Sequence, residues 1–148
     1  MIYVCGGRYP DDSSQQTEFY DVAKRKWTQI GNLQKGRYGH TLVALENRYL
    51  YAICGRESLS ESLLDSIERV DTWLPASEQV WEPVPVHKKD QQWSARDTIG
   101  AFGISAKEIV IFGGDQGWIS DSFVLDCEKG EVVKEEFALK KPEEFGSG

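Results

Sequence analysis

Apolar residues gather along this chain in short unbroken runs, each stopped by glycine. Ile109-Val110-Ile111-Phe112 ends at Gly113-Gly114, Ile2-Tyr3-Val4-Cys5 at Gly6-Gly7, and Tyr51-Ala52-Ile53-Cys54 at Gly55-Arg56. Consecutive strand residues point to opposite sides, so a run of four with no polar break predicts a short strand that is apolar on both faces. Such a strand needs cover above and below, which places its sheet between neighbours. The glycines that follow allow positive φ and a close backbone approach in the turn.

The sequence after each run is also repeated. Glu18-Phe19-Tyr20-Asp21 reads as a strand entering a turn that Asp21 can cap with its own side chain, and Trp27 lies seven residues beyond Tyr20. Phe123-Val124-Leu125-Asp126 repeats the arrangement, with Val132 seven beyond Leu125, whereas Val70 and Trp81 are eleven apart with Trp73 and Pro75 between them. A loop then leads to an arginine and another strand: Arg37-Tyr38-Gly39-His40 before Thr41–Leu45, and Arg96-Asp97-Thr98-Ile99 before Gly100–Ile104. The second of these loops is longer by a polar stretch over Pro85–Trp93. Aligned on Gly6, Gly55 and Gly113, the units recur after 49 and 58 residues, a propeller-blade period rather than a helical-solenoid one.

This pattern resembles the kelch repeat: an apolar strand ending in Gly-Gly, then Tyr-Asp, then Trp, then Arg-x-x-His. The resemblance spans nearly the whole chain. It implies an all-β fold, a kelch-type β-propeller segment in which each repeat forms a four-stranded blade. The departures are Arg56 for the second glycine, Ile99 for His, Val132 for Trp, and the lengthened second unit. About eleven strands are expected, one short of three blades, because the first unit starts at its second strand. The expected division is a propeller segment over 1–137, with blades over 1–37, 38–95 and 96–137, followed by a tail or linker over 138–148. Helix is not signalled, and Ser58–Asp65 reads as a long surface loop. Closed kelch propellers resemble rings of about five to seven blades. A three-blade stack exposes two apolar faces, so further blades, a second copy of the chain or another protein is expected to cover them.

Composition narrows the function. A 40% hydrophobic and 11% aromatic content argues against disorder in these 148 residues. The net charge of −7 argues against a nucleic-acid partner. There is no apolar run near 18 residues, which argues against a membrane span. Met1 runs into a strand without a basic and apolar leader, so a cytoplasmic, intracellular location or a segment of a longer protein is expected. Three cysteines without close spacing read as reduced thiols, with Cys5 and Cys54 at one repeat position.

Candidate chemistry lies in the loops. The resemblance brings Arg8, Arg37, Arg56 and Arg96 toward one rim around the axis, where guanidinium forks suit a protein or acidic-peptide partner. The competing reading ties Arg37 and Arg96 to loop carbonyls or a neighbouring acid. Trp93 and Trp118, like Trp73, fall in predicted loops where an exposed indole can anchor an interface, while Trp27 and Trp81 are expected to fill the gaps between blades. Asp11, Asp12, Glu57 and Asp115 decorate the same loops, and one of them is expected to pair with an arginine. His40 reads as structural and His87 as exposed. Kelch-like propellers include a copper-oxidase type and a sugar-acid isomerase type. The copper chemistry needs two histidines and paired tyrosines, and here His40 and His87 lie in different kinds of loop. The sequence therefore predicts a protein-binding module with no catalytic site, metal or cofactor; the alternative is a scaffold piece of a larger intracellular or cytoskeletal assembly.

Overall fold

A computed structural model of the chain describes residues 1–8, 15–88, 93–114 and 121–135, and these are nearly all strand and turn. The first sheet is an antiparallel meander of β1 (Ile2–Cys5), β2 (Thr17–Asp21) and β3 (Lys26–Gln29). The chain then forms the short β4 (Arg37–Tyr38) and enters the second sheet through β5 (Thr41–Leu45) and β6 (Tyr49–Ile53). Strand β7 (Arg56–Glu57) turns back to pair with β4 in a separate ribbon. The second sheet is completed by β8 (Ile67–Asp71) and β9 (Glu82–Val84), in the order β5-β6-β8-β9. After β10 (His87–Lys88), the third sheet runs β11 (Gly100–Gly103), β12 (Glu108–Phe112), β13 (Ser122–Asp126) and β14 (Glu131–Glu135).

The three sheets thus hold eleven meander strands among the described residues, in groups of three, four and four, as the repeat count predicts. Among the described residues the sheets do not close into a ring. Three short strands fall outside that count: β4 and β7 of the ribbon, and β10. β10 lies inside the stretch read as a polar loop and pairs in parallel with β14, fastened by the His87 amide donating to Gly130 O at 2.7 Å. The insertion before Trp81 holds a single turn of 3-10 helix, Ala76–Glu78.

The turns follow the sequence reading. Asp21 Oδ1 accepts the amides of Ala23 and Lys24 at 3.0 and 3.1 Å, and Asp126 Oδ1 accepts those of Glu128 and Lys129 at 3.0 Å each. These backbone bonds hold both carboxyls below the usual carboxylate range. The glycine alignment, by contrast, shifts by one residue. Gly6, Cys54 and Gly113 are the equivalent positions: all three have φ between 56 and 73°, and their amides donate to the equivalent carbonyls of Gln16, Ser66 and Asp121. Cys54 therefore replaces the first glycine, Gly55 keeps the second, and Arg56 matches Arg8. Cys5 is the counterpart of Ile53 and Phe112, not of Cys54.

Packing follows from the doubly apolar middle strands. Between the first and second sheets, Cys5 and Phe19 meet Leu50, Ala52, Val70 and Trp81. Between the second and third, Val43, Leu45, Tyr51 and Ile53 meet Ile109, Ile111, Leu125 and Val132. Trp81 is fully buried and its indole N–H donates to Thr17 Oγ1 across the sheets at 2.9 Å.

Trp27 corrects the expectation that both repeat tryptophans fill gaps between blades. It occupies the position of Trp81, opposite Tyr20 in the register, yet is 49% exposed. In each sheet this face looks toward the sheet before it, and none precedes the first among the described residues. Ile2 and Val4 are exposed on the same face. At the other end Phe102 is 53% exposed, whereas its counterpart Val43, beneath the third sheet, is 5% exposed. Trp81→Ala is accordingly expected to cost roughly 3–5 kcal/mol of stability in urea unfolding. Trp27→Ala at the equivalent position is expected to cost less than about 1 kcal/mol.

Candidate interaction face

Each middle strand leaves its sheet through the positive-φ pair, and the loop that follows is tied to the next repeat. The Gly7 amide donates to Arg37 O at 2.9 Å and the Gly55 amide to Arg96 O at 2.8 Å. The glycine loops and the arginine segments therefore share one end of the stack. Gly6 cannot carry a side chain here: at φ 67°, a Cβ lies 2.4 Å from Arg37 O and 2.7 Å from His40 Cε1.

Arg37 and Arg96 are at this end but fully buried, so neither guanidinium is open to a partner in this structure. Arg37 donates to Cys54 O at 2.8 Å, Ser66 O at 3.0 Å and Glu68 Oε2 at 2.5 Å. The Glu68 carboxylate also accepts the amides of Gln34 and Lys35, so one buried ion pair fastens the segment that enters the second sheet. Arg96 repeats the clamp. It donates to Asp121 Oδ1 at 2.8 Å and Ser94 Oγ at 3.1 Å, between the rings of Trp93 and Phe123. Trp93 is itself buried, with its N–H on Asp65 O, and so is packed rather than offered. Trp118, Asp11, Asp12 and Asp115 lie outside the described residues.

Arg8 and Arg56 form the outer layer, and three residues not singled out in the sequence join them. Arg8 is exposed, 3.5 Å from the Glu61 carboxylate and 5.4 Å above the Tyr38 ring. Arg56 donates through Nε to Asp97 Oδ2 at 3.1 Å and through Nη1 to Glu61 O at 2.9 Å. The Tyr38 hydroxyl donates to the Glu61 carboxylate, and Asp97 Oδ1 is buried with no hydrogen-bond partner among the described residues. Glu57, which the sequence offered as an arginine partner, instead accepts from Ser60 Oγ at 2.5 Å. Tyr38 and Asp97 follow the clamp arginines directly. In the extended β4 the inward Arg37 sends Tyr38 out to the rim, whereas Asp97 lies in a bend, is buried, and joins the rim through its bond to Arg56. That alternation is the signal in the sequence that identifies Tyr38.

No protein-family model matches the chain. A curated relative, alpha-scruin of Limulus polyphemus, is 34% identical over 77 residues, a match covering 47% of this chain and 8% of alpha-scruin. Alpha-scruin is a kelch-repeat protein. The likeness is partial, and the chain covers less than a tenth of that relative's length.

His40 sits beneath the same loops. Its Nε2 is 3.3 Å from Cys5 Sγ, and its buried Nδ1 has no partner among the described residues. Burial, and secondarily the Arg37 charge, pushes the imidazole down to about 4, while burial pushes the Cys5 thiol up to about 12. Both groups are therefore neutral near pH 7. Among the described residues no group of three His, Cys, Asp or Glu side chains is placed to hold a metal ion. His87 is exposed on β10, and no described helix is long and apolar enough to cross a membrane.

The His40 shift makes stability depend on pH with a defined sign. The unfolded chain protonates this residue near 6.5 and the folded one only near 4, so the unfolded state binds more protons between those values. Stability is expected to fall as pH drops through that window, by about 2 kcal/mol between pH 7 and 5. His40→Gln should flatten this part of the profile in urea unfolding followed across pH. An unchanged slope overturns the assignment.

Proposed function

We propose that this chain is a protein-interaction module of the kelch propeller kind, which holds an acidic group of a partner protein or peptide on the rim built from Arg8, Arg56, Tyr38, Glu61 and Asp97. The observation that carries the reading is the Glu61 carboxylate resting against the exposed Arg8 and the Tyr38 hydroxyl. A partner carboxylate can take the same place, displacing a surface acid whose ion pair contributes little in water. Arg37 and Arg96 support the rim from beneath, and Trp93 packs below it.

The test is binding to displayed peptides graded in Asp and Glu content. Arg8→Ala combined with Arg56→Ala is expected to weaken capture about tenfold or more, and Glu61→Gln to strengthen it, with both effects shrinking in high salt. Retained capture in the double variant removes the rim reading.

A second reading, a scaffold piece that assembles through its sheet faces, rests on the exposed apolar residues at both ends of the stack, Trp27 with Ile2 and Val4, and Phe102 with Val133. Light scattering after size exclusion separates the two readings. Self-assembly through these faces requires a mass above the monomer that Trp27→Glu and Phe102→Glu each lower.

A further inference from the structure

Among the described residues every buried or half-buried arginine has a carboxylate of its own, with one exception. Arg37 pairs with Glu68, Arg48 with Asp71, Arg56 with Asp97 and Arg96 with Asp121, at 2.5 to 3.1 Å. Arg69 is half-buried on β8 and makes no ion pair among the described residues. Its cross-strand neighbour on β9, Glu82, is exposed and does not pair with it, and Asp71 is taken by Arg48. A cation drawn partly out of water without an acid is unfavourable, and an anion brought beside it relieves the cost.

Arg69 faces the gap between the second and third sheets. It lies opposite Tyr51 in the register, with its guanidinium 5.2 Å over the Tyr49 ring. A cavity of about 470 Å³ occupies this gap, lined by Tyr49, Tyr51, Arg69 and Cys127 and by the apolar Val84 and Pro85. It lies at the opposite end of the stack from the rim, since β6 begins at Tyr49 and runs toward Gly55. Burial pushes the Tyr51 hydroxyl up to about 12 and the Cys127 thiol up to about 11, so both are neutral near pH 7 and neither supplies an anion. Around the mouth Lys107 is paired with Glu128 at 2.8 Å, and the exposed Glu46 and Lys129 offset each other in sign. The charge left unmatched among the described residues of the cavity is that of Arg69.

Strand β10 fixes one wall. The chain leaves the second sheet at Val84 and joins the third at His87, which pairs with Glu131 and donates its amide to Gly130 O at 2.7 Å. Gly130 has φ 65°, and a Cβ there would collide with Pro85 O, so the turn and the crossing segment are in direct contact. The cavity is therefore shaped before a ligand arrives, which lowers the ordering cost of binding.

We propose that this cavity is a binding site for a small organic anion, with a carboxylate or phosphate group at the Arg69 guanidinium and an apolar body against Val84 and Pro85. A guanidinium offers parallel N–H donors to either group. The neutral Tyr51 hydroxyl can add a donor of its own.

The probes are benzoate and phenyl phosphate, titrated into the isotope-labelled chain and followed by heteronuclear NMR. At least one is expected to give saturable shifts centred on the Arg69 Nε–H and the amides of Cys127–Gly130, and the tighter of the two identifies the preferred group. Benzylammonium, of similar size and opposite charge, is expected to bind at least about tenfold more weakly. Arg69→Gln is expected to weaken the anion about tenfold or more. Ala106→Trp, at an exposed position lining the cavity, is expected to weaken it as well by filling the space, and tests the site without touching Arg69. Arg8→Ala with Arg56→Ala leaves binding unchanged, which separates this cavity from the rim. No saturable shift with either anion, equal binding of benzylammonium, indifference to Arg69→Gln or to Ala106→Trp, or shifts centred on the rim each overturns the proposal.

Discussion

A strand only four or five residues long with apolar side chains on both faces must be covered twice, and this requirement shapes the whole chain. Burial of apolar area is the dominant favourable term in folding, and here it cannot be achieved within one sheet. Ile109 and Ile111 turn back onto the second sheet and Val110 turns the other way, while Tyr51 and Ile53 look forward and Leu50 and Ala52 look back. Stacking is therefore built into every repeat, and each sheet is the cover of the next. The same logic leaves Ile2, Val4 and Trp27 uncovered at one end and Phe102 at the other.

Face packing alone does not fix how one repeat enters the next, and the clamp arginines supply that. A buried guanidinium is tolerable only when its donors are satisfied, and breaking such a pair leaves an uncompensated charge. Arg37 meets this condition with three carbonyls, the Ser66 hydroxyl and Glu68, Arg96 with Asp121, two carbonyls and the Ser94 hydroxyl. The bonds point inward because the motif arginine sits on the inner side of an extended segment. In β4 its neighbour Tyr38 then faces outward, so the repeat's most regular residue is structural, and the positions after it, Tyr38 and the buried Asp97, vary between repeats.

The eleven meander strands and the Asp-capped turns are legible because they rest on local chemistry: apolar runs, side-chain caps and fixed spacing. Errors arose where the deciding fact is not local. Cys54 adopts φ 56° in place of a glycine, so an alignment on glycines slips by one residue in the second repeat. Trp27 and Trp81 share a motif position and differ only in whether a sheet lies in front of them. Trp93 looks like a loop anchor until Phe123 and Arg96 close around it. β10 is a two-residue strand whose pairing is set by Gly130, far along the chain. At the rim, Arg8 and Arg56 could be read from the glycine loops, but Glu61 could not, because it arrives from a long loop with no repeat equivalent.

The two outer arginines are held to different degrees. Arg56 follows β6, which is paired on both edges, and its guanidinium is bonded to Asp97 and to Glu61 O. Arg8 is exposed, and its ion-pair contact is a 3.5 Å approach to an exposed carboxylate. Two residues separate the end of β1 from Arg8, Gly6 and Gly7, and both are anchored by their amides, to Gln16 O and Arg37 O. Arg56 is thus the fixed half of the rim and Arg8 the adjustable half. On the proposed reading, an arginine that re-aims toward an incoming carboxylate without breaking a buried bond is the one suited to exchange Glu61 for a partner group, and the fixed one would set where that exchange occurs.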